Sequence, residues 1–313
     1  MAARYARVCA GLVCVAFSCC VAPRTAHATP VYVISWNVCS SGGRPFGIAV
    51  DAAGYLYVTN QIAGTLEKFS RAGVLVARLA QSLNYPCGVA VASDGTIYVI
   101  EHLGNQVSRL SSDGTVLGTF GAQLYHPVYV AVDRDGYVYV TDYINRIVKF
   151  TALGEWVSMW GNLGNGPGQL NDPGGIKVGG DGFVYVVDHG NDRIQKFTRE
   201  GAYVATWGTS GSGDGQFSIP HGIATDALGR VYIADDGNAR IQILTGEGAF
   251  SDKWGSRGPG AGEFGSDSPT DVAVNAYGEV FVVDRANCRV EEFVDLATAA
   301  RAMTWGRVKV IYR

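Results

Sequence analysis

Short apolar runs separated by glycine and by acidic or amide residues make up most of this chain. The stretch from Pro173 to Gly208 shows the arrangement once, as four runs rich in Val, Ile, Phe and Tyr that are interrupted at Gly180–Gly182, His189–Asp192 and Glu200–Gly201. β-Branched and aromatic side chains suit a pleated, half-buried surface, and glycine adopts the positive φ that tight turns need. The pattern predicts an antiparallel meander of four strands, called a, b, c and d.

This four-stranded unit recurs six times. The units start near residues 45, 86, 127, 173, 220 and 269, which are 41 to 49 residues apart. Four strands per repeat at this period indicate the blades of a β-propeller. One such sheet cannot bury both of its faces alone, whereas six sheets around an axis can. We therefore predict an all-β protein, a six-bladed β-propeller of four-stranded antiparallel blades, with residues 29–313 as a single domain.

The fifth unit carries the most specific motif. Gly213-Asp214-Gly215-Gln216-Phe217-Ser218-Ile219-Pro220-His221-Gly222-Ile223-Ala224, continued by Tyr232 to Gln242, resembles the NHL repeat. The resemblance covers about residues 45–306 and is strongest in units three to six. In units one and two, Thr65 and Gln106 stand where the later units have arginine. NHL proteins form six-bladed β-propellers, and the resemblance implies that fold here.

The first 28 residues form a separate segment. Arg4 and Arg7 precede an apolar run from Val8 to Val21, and Ala26-His27-Ala28 fits a small-x-small cleavage pattern. The segment is typical of a secretory signal peptide at 1–28, so we expect a secreted, periplasmic or extracellular protein. An uncleaved anchor and a lipoprotein signal at Cys19 are the alternatives. No hydrophobic stretch long enough to span a membrane follows residue 28.

The charge balance argues against a nucleic-acid partner. The chain has a formal net charge of −3, and loss of residues 1–28 removes three arginines and no acid, which leaves 22 basic against 28 acidic residues. Nucleic-acid binding draws most of its affinity from basic side chains that neutralise phosphates. Although some NHL propellers bind RNA, we expect no nucleic-acid partner for this acidic, exported chain.

Two segments compete for the outer strand of the sixth blade. Val31 to Trp36 resembles a strand d, and so do residues 299–306. We favour the N-terminal strand as the one that closes the ring, with residues 307–313 as an added edge strand. Three cysteines follow the signal segment, so one disulfide at most can form. Cys39 and Cys288 have the shortest expected separation, and the alternative is that these two and Cys87 all stay unpaired.

An aspartate ends strand b and an arginine begins strand c in units three to six. Adjacent antiparallel strands bring the two side chains together, which predicts a structural clamp across each b–c turn; a charged ligand ring is the alternative. The pairs are Asp142 with Arg146, Asp188 with Arg193, Asp235 with Arg240, and Asp284 with Arg289. Lys196, further along a strand c, is predicted to be solvated.

Chemistry is expected on one side of the disc. Strand direction alternates in a meander, so the d–a loops and the b–c turns lie on the same side, here called the histidine face. All four histidines after the signal segment fall on this face, and we expect contacts of His102 with His126 and of His189 with His221. The predicted binding residues are His102, His126, Tyr143, His189, His221, Asp236 and Arg285.

Two imidazoles and a carboxylate suit a divalent metal such as zinc, so His189 and His221 are candidate ligands. NHL-like relatives include peptide-amidating lyase, which holds a metal through histidines on one propeller face, and streptogramin lyases and gluconolactonase-like hydrolases are more distant relatives. Each unit begins with a proline, and the residue directly after it is a histidine only in unit five, at His221. The equivalent residues of the other units are Phe46, Cys87, Val128, Gly174 and Thr270. We therefore predict an exported scaffold that binds a protein or small-molecule ligand through the histidine face, with no catalytic residue assigned. A metal-assisted lyase or hydrolase is the alternative.

Overall fold

The computed structural model describes residues 29–39 and 43–294. Within this part, six four-stranded antiparallel sheets surround a common axis, so the prediction of a six-bladed β-propeller is confirmed. In the ranges 29–39 and 43–294, helix is confined to two short 3-10 turns at His189–Asn191 and Asp236–Asn238. No helix in the described residues is long and apolar enough to cross a membrane. The signal segment at 1–28 and the predicted strands at 299–306 and 307–313 lie outside the described residues.

Each blade is a meander whose innermost strand is a and whose outermost strand is d. Blade one comprises β2–β5, at Pro45–Val50, Leu56–Asn60, Thr65–Phe69 and Leu75–Ala80. Blade two comprises β6–β9, at Pro86–Val91, Ile97–Glu101, Gln106–Leu110 and Val116–Phe120. Blade three comprises β10–β13, at Pro127–Val132, Val138–Asp142, Arg146–Phe150 and Trp156–Trp160.

The remaining blades follow the same plan. Blade four comprises β14–β17, at Pro173–Val178, Val184–Asp188, Arg193–Phe197 and Tyr203–Trp207. A small parallel pair in the next loop is formed by β18 and β19, at Thr209–Ser210 and Gln216–Phe217. Blade five comprises β20–β23, at Pro220–Thr225, Val231–Asp235, Arg240–Leu244 and Phe250–Trp254. Blade six comprises β24–β26 and β1, at Asp271–Val274, Glu279–Asp284, Arg289–Val294 and Val31–Asn37.

The N-terminal strand closes the ring. β1 runs antiparallel to β26, with Val31 opposite Val294 and Asn37 opposite Arg289. Directly after β1, Cys39 forms a disulfide with Cys288 in the b–c turn of blade six, with a Cα–Cα distance of 5.5 Å. The expected closing strand is therefore confirmed, and of the two alternatives left open for the cysteines the structure shows the Cys39–Cys288 pair. Among the described residues Cys87 is the free cysteine, and its side chain is buried.

One large aromatic residue near the start of each strand b is buried in the core. It is a fully buried tyrosine at the second position in blades one to five and Phe281, the third residue of β25, in blade six. Four of the hydroxyl groups donate to an aspartate in the preceding a–b turn, as Tyr139 does to Asp133 at 2.9 Å. A buried hydroxyl needs such a partner, because an unsatisfied polar group inside a protein is costly.

The four predicted aspartate–arginine clamps are present. All four aspartates are fully buried, and the Nε–Oδ2 distance is 2.6 Å for Arg193 and Asp188 and 2.7 Å for Arg240 and Asp235. The pairs of Arg146 and Arg289 have nearest N–O distances of 2.9 Å. The other guanidinium nitrogens of Arg193 donate to three backbone carbonyls of the preceding d–a loop. Each clamp therefore fastens a glycine-rich loop to the end of a strand b.

The prediction that Lys196 is solvated is wrong. Lys196 is only 9% exposed, and its amine lies 3.0 Å from the Asp181 carboxylate. The amine also lies over the rings of Phe183, Tyr185 and Trp207 at 4.3–5.8 Å. An alternation of apolar and polar residues along strand c does not reveal these contacts, because they come from the a–b turn and the adjacent strands b and d of the same blade.

Candidate functional site

The histidine face is built by contacts between b–c turns and d–a loops. In each of blades two to five a backbone N–H of the b–c turn donates to a carbonyl of the preceding loop, for example from Tyr143 to Tyr125 at 3.2 Å and from Gly237 to Ser218 at 2.9 Å. Strand a therefore starts beside the point where strand b ends, as the pairing of Pro220 with Asp235 shows. This topology places all four histidines on one side of the disc, as expected.

The two predicted histidine contacts are both present. The ring centroids of His102 and His126 lie 4.8 Å apart, and those of His189 and His221 lie 4.5 Å apart. In each pair the b–c turn histidine points Nδ1 at the carbonyl oxygen of the proline that starts the next blade, at 3.1 Å for His102 and 3.0 Å for His189. A carbonyl only accepts, so Nδ1 of each of these two histidines carries a proton and donates it.

Tyrosines surround the first histidine pair. The Tyr85 ring lies 5.9 Å from that of His102, and the rings of Tyr125 and Tyr143 lie 4.5 and 6.4 Å from that of His126. The Nδ1 atom of His126 is buried and has no hydrogen-bond partner in the described part of the chain. These five residues are called the aromatic cluster. The sequence interpretation included His102, His126 and Tyr143, and it missed Tyr85 and Tyr125.

The second histidine pair lies among charged groups. His221 Nε2 is 3.5 Å from Asp236 Oδ2, and His189 Nε2 is 3.9 Å from Asp172 Oδ2. The Phe46 ring packs against His221 with centroids 6.4 Å apart, and the Arg285 guanidinium lies over Phe46 at 5.9 Å. Arg285 also forms an ion pair with Asp267 at 2.6 Å. Blades five and six therefore present a charged sector of the face.

Burial shifts the pKa of both members of the His221–Asp236 contact. Although 21% of the His221 side chain is accessible, protein surrounds most of the ring, and burial, with the nearby His189 and Arg285, lowers its pKa to about 3. Burial raises the pKa of Asp236 to about 7, against the opposing effect of Arg285. Near neutral pH the imidazole is therefore uncharged, while the carboxyl group exchanges its proton. The pKa of His102 is likewise lowered, mainly by burial.

A repeated backbone feature positions several of these side chains. The residue before the first proline of strand a has a left-handed φ in four blades, at Tyr85, His126, Asp172 and Ile219. Such a conformation is unfavourable for residues other than glycine and often marks a functional site. In three of the four cases an Asn or Asp side chain of the neighbouring b–c turn accepts the backbone N–H, at 2.7–2.8 Å. Alignment of the six units at this proline would have revealed Tyr85 and Asp172.

Large apolar side chains are also exposed on this face. Seven of them lie in the b–c turns of blades one to three and in the loops that lead to blades three to five, and each is about half or more exposed. They are Ile62, Leu103, Tyr125, Tyr143, Ile144, Leu163 and Ile219. Exposed apolar patches on a soluble fold mark interaction sites. This apolar sector shares Tyr125 and Tyr143 with the aromatic cluster, and of its seven residues only Tyr143 was predicted from the sequence.

The described neighbours of His189 and His221 do not complete a set of metal ligands. In the described residues, no group of three or more His, Cys, Asp or Glu side chains is arranged to hold a metal ion. The two imidazoles contact each other, and each carboxylate approaches only one of them. These residues offer proton exchange and polar contacts to a ligand at the face.

Comparison with known proteins agrees with the repeat and the fold. The NHL repeat model matches residues 170–197 and 217–244, which belong to blades four and five. No curated protein matches the chain. A streptogramin B lyase structure is similar with 17% identity and a TM-score of 0.63, over 84% of this chain and 97% of that one.

Two further structures show the same fold. Virginiamycin B lyase from Staphylococcus aureus is similar with 15% identity and a TM-score of 0.60, over 83% of this chain and 98% of its own. A gluconolactonase from Xanthomonas campestris is similar with 15% identity and a TM-score of 0.62, over 85% of this chain and 98% of its own. The chain is therefore a six-bladed β-propeller in which blades four and five carry matched NHL repeats.

Proposed function

We propose that the protein is a binding scaffold whose histidine face docks a partner protein. The observation that carries this proposal is the apolar sector, in which seven exposed side chains, two of them tyrosines of the aromatic cluster, lie on the turns and loops of this face. Tyrosine is enriched among residues that dominate binding energies, since it offers a large, rigid contact area and a polar hydroxyl. A small-molecule ligand in the same cluster is the second possibility.

The charged sector gives the partner an orientation. Asp236, Asp267, Arg257 and Arg285 lie in the turns and loops of blades five and six. Charge complementarity at the edge of an interface sets register and association rate more than affinity. The favoured partner is therefore a protein that presents an apolar patch flanked by charges of both signs.

We also propose that the protein is exported. The sequence of residues 1–28 motivates this, and the Cys39–Cys288 disulfide supports it, because disulfides persist in oxidising compartments. Fractionation of cells that express the full chain, beside a variant lacking residues 2–28, tests the proposal. Export predicts that only the full chain leaves the cytoplasm; equal retention of both would contradict it.

The binding proposal is tested by capture from the compartment in which the protein resides. The bait is the wild-type protein, with a Tyr125→Ser and Tyr143→Ser double variant as the face mutant. Trp156→Ser is the matched control, because Trp156 is a 57% exposed aromatic residue on an outer strand, away from the face. A partner of the face is retained by wild type and control and lost by the double variant. Retention by all three baits would contradict the proposal.

A lyase or hydrolase, metal-assisted or not, is the second candidate. The contact of His221 with Asp236 favours it, since a neutral imidazole beside a carboxyl group that titrates near pH 7 suits acid–base catalysis. The similar structures include lyases and a gluconolactonase, although they demonstrate only the shared fold. Turnover of gluconolactone or of streptogramin B, with and without added Zn²⁺ or Mg²⁺, tests this candidate. Activity that Asp236→Asn abolishes would support it, and inactivity on both substrate classes would count against it.

A further inference from the structure

The axis of the propeller contains a small cavity with one amine in its wall. The residue four positions after the proline that begins each unit faces this cavity of about 100 Å³, and it is alanine in five blades and Lys177 in blade four. The other lining residues are mostly Val and Ile. One water occupies roughly 30 Å³ in the liquid, so the space admits a few waters or one small solute. The five alanines leave the room that the lysine side chain and a solute need.

Tyr129 closes the cavity towards the histidine face. It occupies the third position of strand a, where four other blades have glycine, and its hydroxyl donates to the Thr270 carbonyl at 2.8 Å on the opposite side of the ring. Its ring packs on that of Phe46, with centroids 5.4 Å apart. Towards the other face the cavity shares Val50, Val91 and Val132 with a more open cleft, which supplies a route from solvent.

The Lys177 amine has no hydrogen bond or ion pair with any described residue. Lys177 keeps an exposed surface because it lines this cavity, and desolvation inside the ring lowers the pKa of its amine, against an opposing effect of Asp271. The Asp271 carboxylate lies in the same wall, but its two oxygens accept the backbone N–H groups of Ile48 and Val272 at 2.9 Å rather than a bond from the amine. An ammonium group inside the ring that makes no hydrogen bond or ion pair is poorly compensated, and an anion in the cavity would supply a direct partner.

We propose that this axial cavity binds a small monovalent anion on the Lys177 amine, either a halide or a short monocarboxylate. The volume excludes large anions. The charges favour a single negative charge, because Asp271 lies in the wall and Asp51, Asp94 and Asp133 line the cleft that leads to it. This site is separate from the histidine face, since Tyr129 lies between the two, and it does not depend on the proposed docking function.

Thermal unfolding at constant ionic strength tests the proposal. Sodium gluconate, whose anion is too large for the cavity, is replaced stepwise by sodium chloride or sodium acetate. A ligand that binds only the folded state raises Tm with its concentration. We expect a rise of roughly 2–5 °C in wild type at about ten times Kd. Chloride and acetate in separate series distinguish a halide site from a carboxylate site, and sulfate should give no comparable rise.

The variant Lys177→Met should abolish the anion-dependent rise, while Lys253→Met, which changes a lysine on an outer strand, should keep it. Equal rises in wild type and Lys177→Met, or no rise in wild type, would overturn the proposal. If Lys177→Met fails to fold, wild-type crystals grown in bromide decide the question. An anomalous bromide peak within hydrogen-bond distance of Lys177 Nζ supports the site, and an axial cavity without such a peak overturns it.

Discussion

The hydroxyl of Tyr129 in blade three hydrogen-bonds the carbonyl oxygen of Thr270 at the start of blade six, 2.8 Å away and on the opposite side of the ring. Blades three and six do not touch through their sheets, so this side chain joins elements that the β-pairing leaves apart. The ring spans the axis because glycine occupies the equivalent position in four of the other blades. A single residue thus both closes the axial channel and ties the ring across its diameter.

Replacement of Tyr129 separates these two effects. Tyr129→Phe removes only the hydrogen bond and should lower the free energy of unfolding by about 1 kcal/mol, whereas Tyr129→Ala also leaves a cavity and should cost about 3–5 kcal/mol. Urea unfolding gives both values. Equal values for the two variants would show that the ring itself contributes little packing.

The arginine clamps should dominate the stability of the b–c turns. Arg240→Ala strips the partner from the fully buried Asp235 and frees three loop carbonyls, so a loss of about 3–5 kcal/mol is expected. Lys196→Ala should cost less, about 1–3 kcal/mol, since its partner Asp181 is partly exposed and the cation–π contacts are individually weak. Lys253→Ala, in an exposed ion pair with Asp214, is the control and should change stability by less than about 1 kcal/mol. Identical urea midpoints for the three variants would contradict this ranking.

Removal of His221 or of Asp236 should change the pH dependence of stability in opposite directions. The pKa of Asp236 is raised to about 7 in the folded state, so its contribution to the free energy of unfolding is lost as pH rises from about 4 to 7. The pKa of His221 is lowered to about 3, so its contribution is lost as pH falls from about 6.5 to 3. In the wild type the two contributions oppose each other between pH 4 and 6.5.

Asp236→Asn should therefore gain stability relative to wild type as pH rises through this window, by up to about 4 kcal/mol in total, and His221→Gln should lose it. Unfolding in urea at half-unit pH intervals measures both differences. Asp271 and Glu291, whose pKa values are also raised to about 7 by burial, are unchanged in both variants and cancel in the comparison. Parallel curves for wild type and both variants would contradict the assignment.

The disulfide should stabilise the ring closure. It joins residues separated by 249 positions, and chain-entropy arguments give such a bridge a contribution of up to about 5 kcal/mol. Cys39→Ser, Cys288→Ser and the double variant should lose the same amount, because either substitution removes the same bond. A reductant should lower Tm of wild type but not of the double variant. A reductant effect that persists in the double variant would assign the stabilisation elsewhere.

The repeat made the fold predictable. Each unit aligns with the next at its strand-a and strand-b residues, so blade number, strand order and the clamps followed from spacing alone. The chain direction in a meander also placed the four histidines on one face and paired them correctly, because loops and turns alternate between the two sides. The closing strand β1 followed from its likeness to the other outer strands.

Features that depend on contacts outside a single strand were not predictable in the same way. Lys196 is enclosed by the a–b turn and by strands b and d of its own blade, and its amine donates to the Gly246 carbonyl of the next blade. Tyr85 and Tyr125 contact the histidines from the loops before strand a, where the backbone of Tyr85 and of His126 is left-handed. Tyr129, Lys177 and Asp271 break the glycine and alanine pattern of the inner strands. An alignment of the six strands a shows these three departures, although it does not show what they contact.

The most direct test of the account is the affinity of a captured partner for the histidine face, measured by calorimetry with purified proteins. Removal of a hot-spot tyrosine typically costs about 2 kcal/mol or more, so Tyr143→Ser should weaken Kd by about 30-fold or more. Trp156→Ser should leave Kd within about twofold of wild type. Unchanged affinity for Tyr143→Ser, or an equal loss for Trp156→Ser, would contradict the assignment of the histidine face as the docking surface.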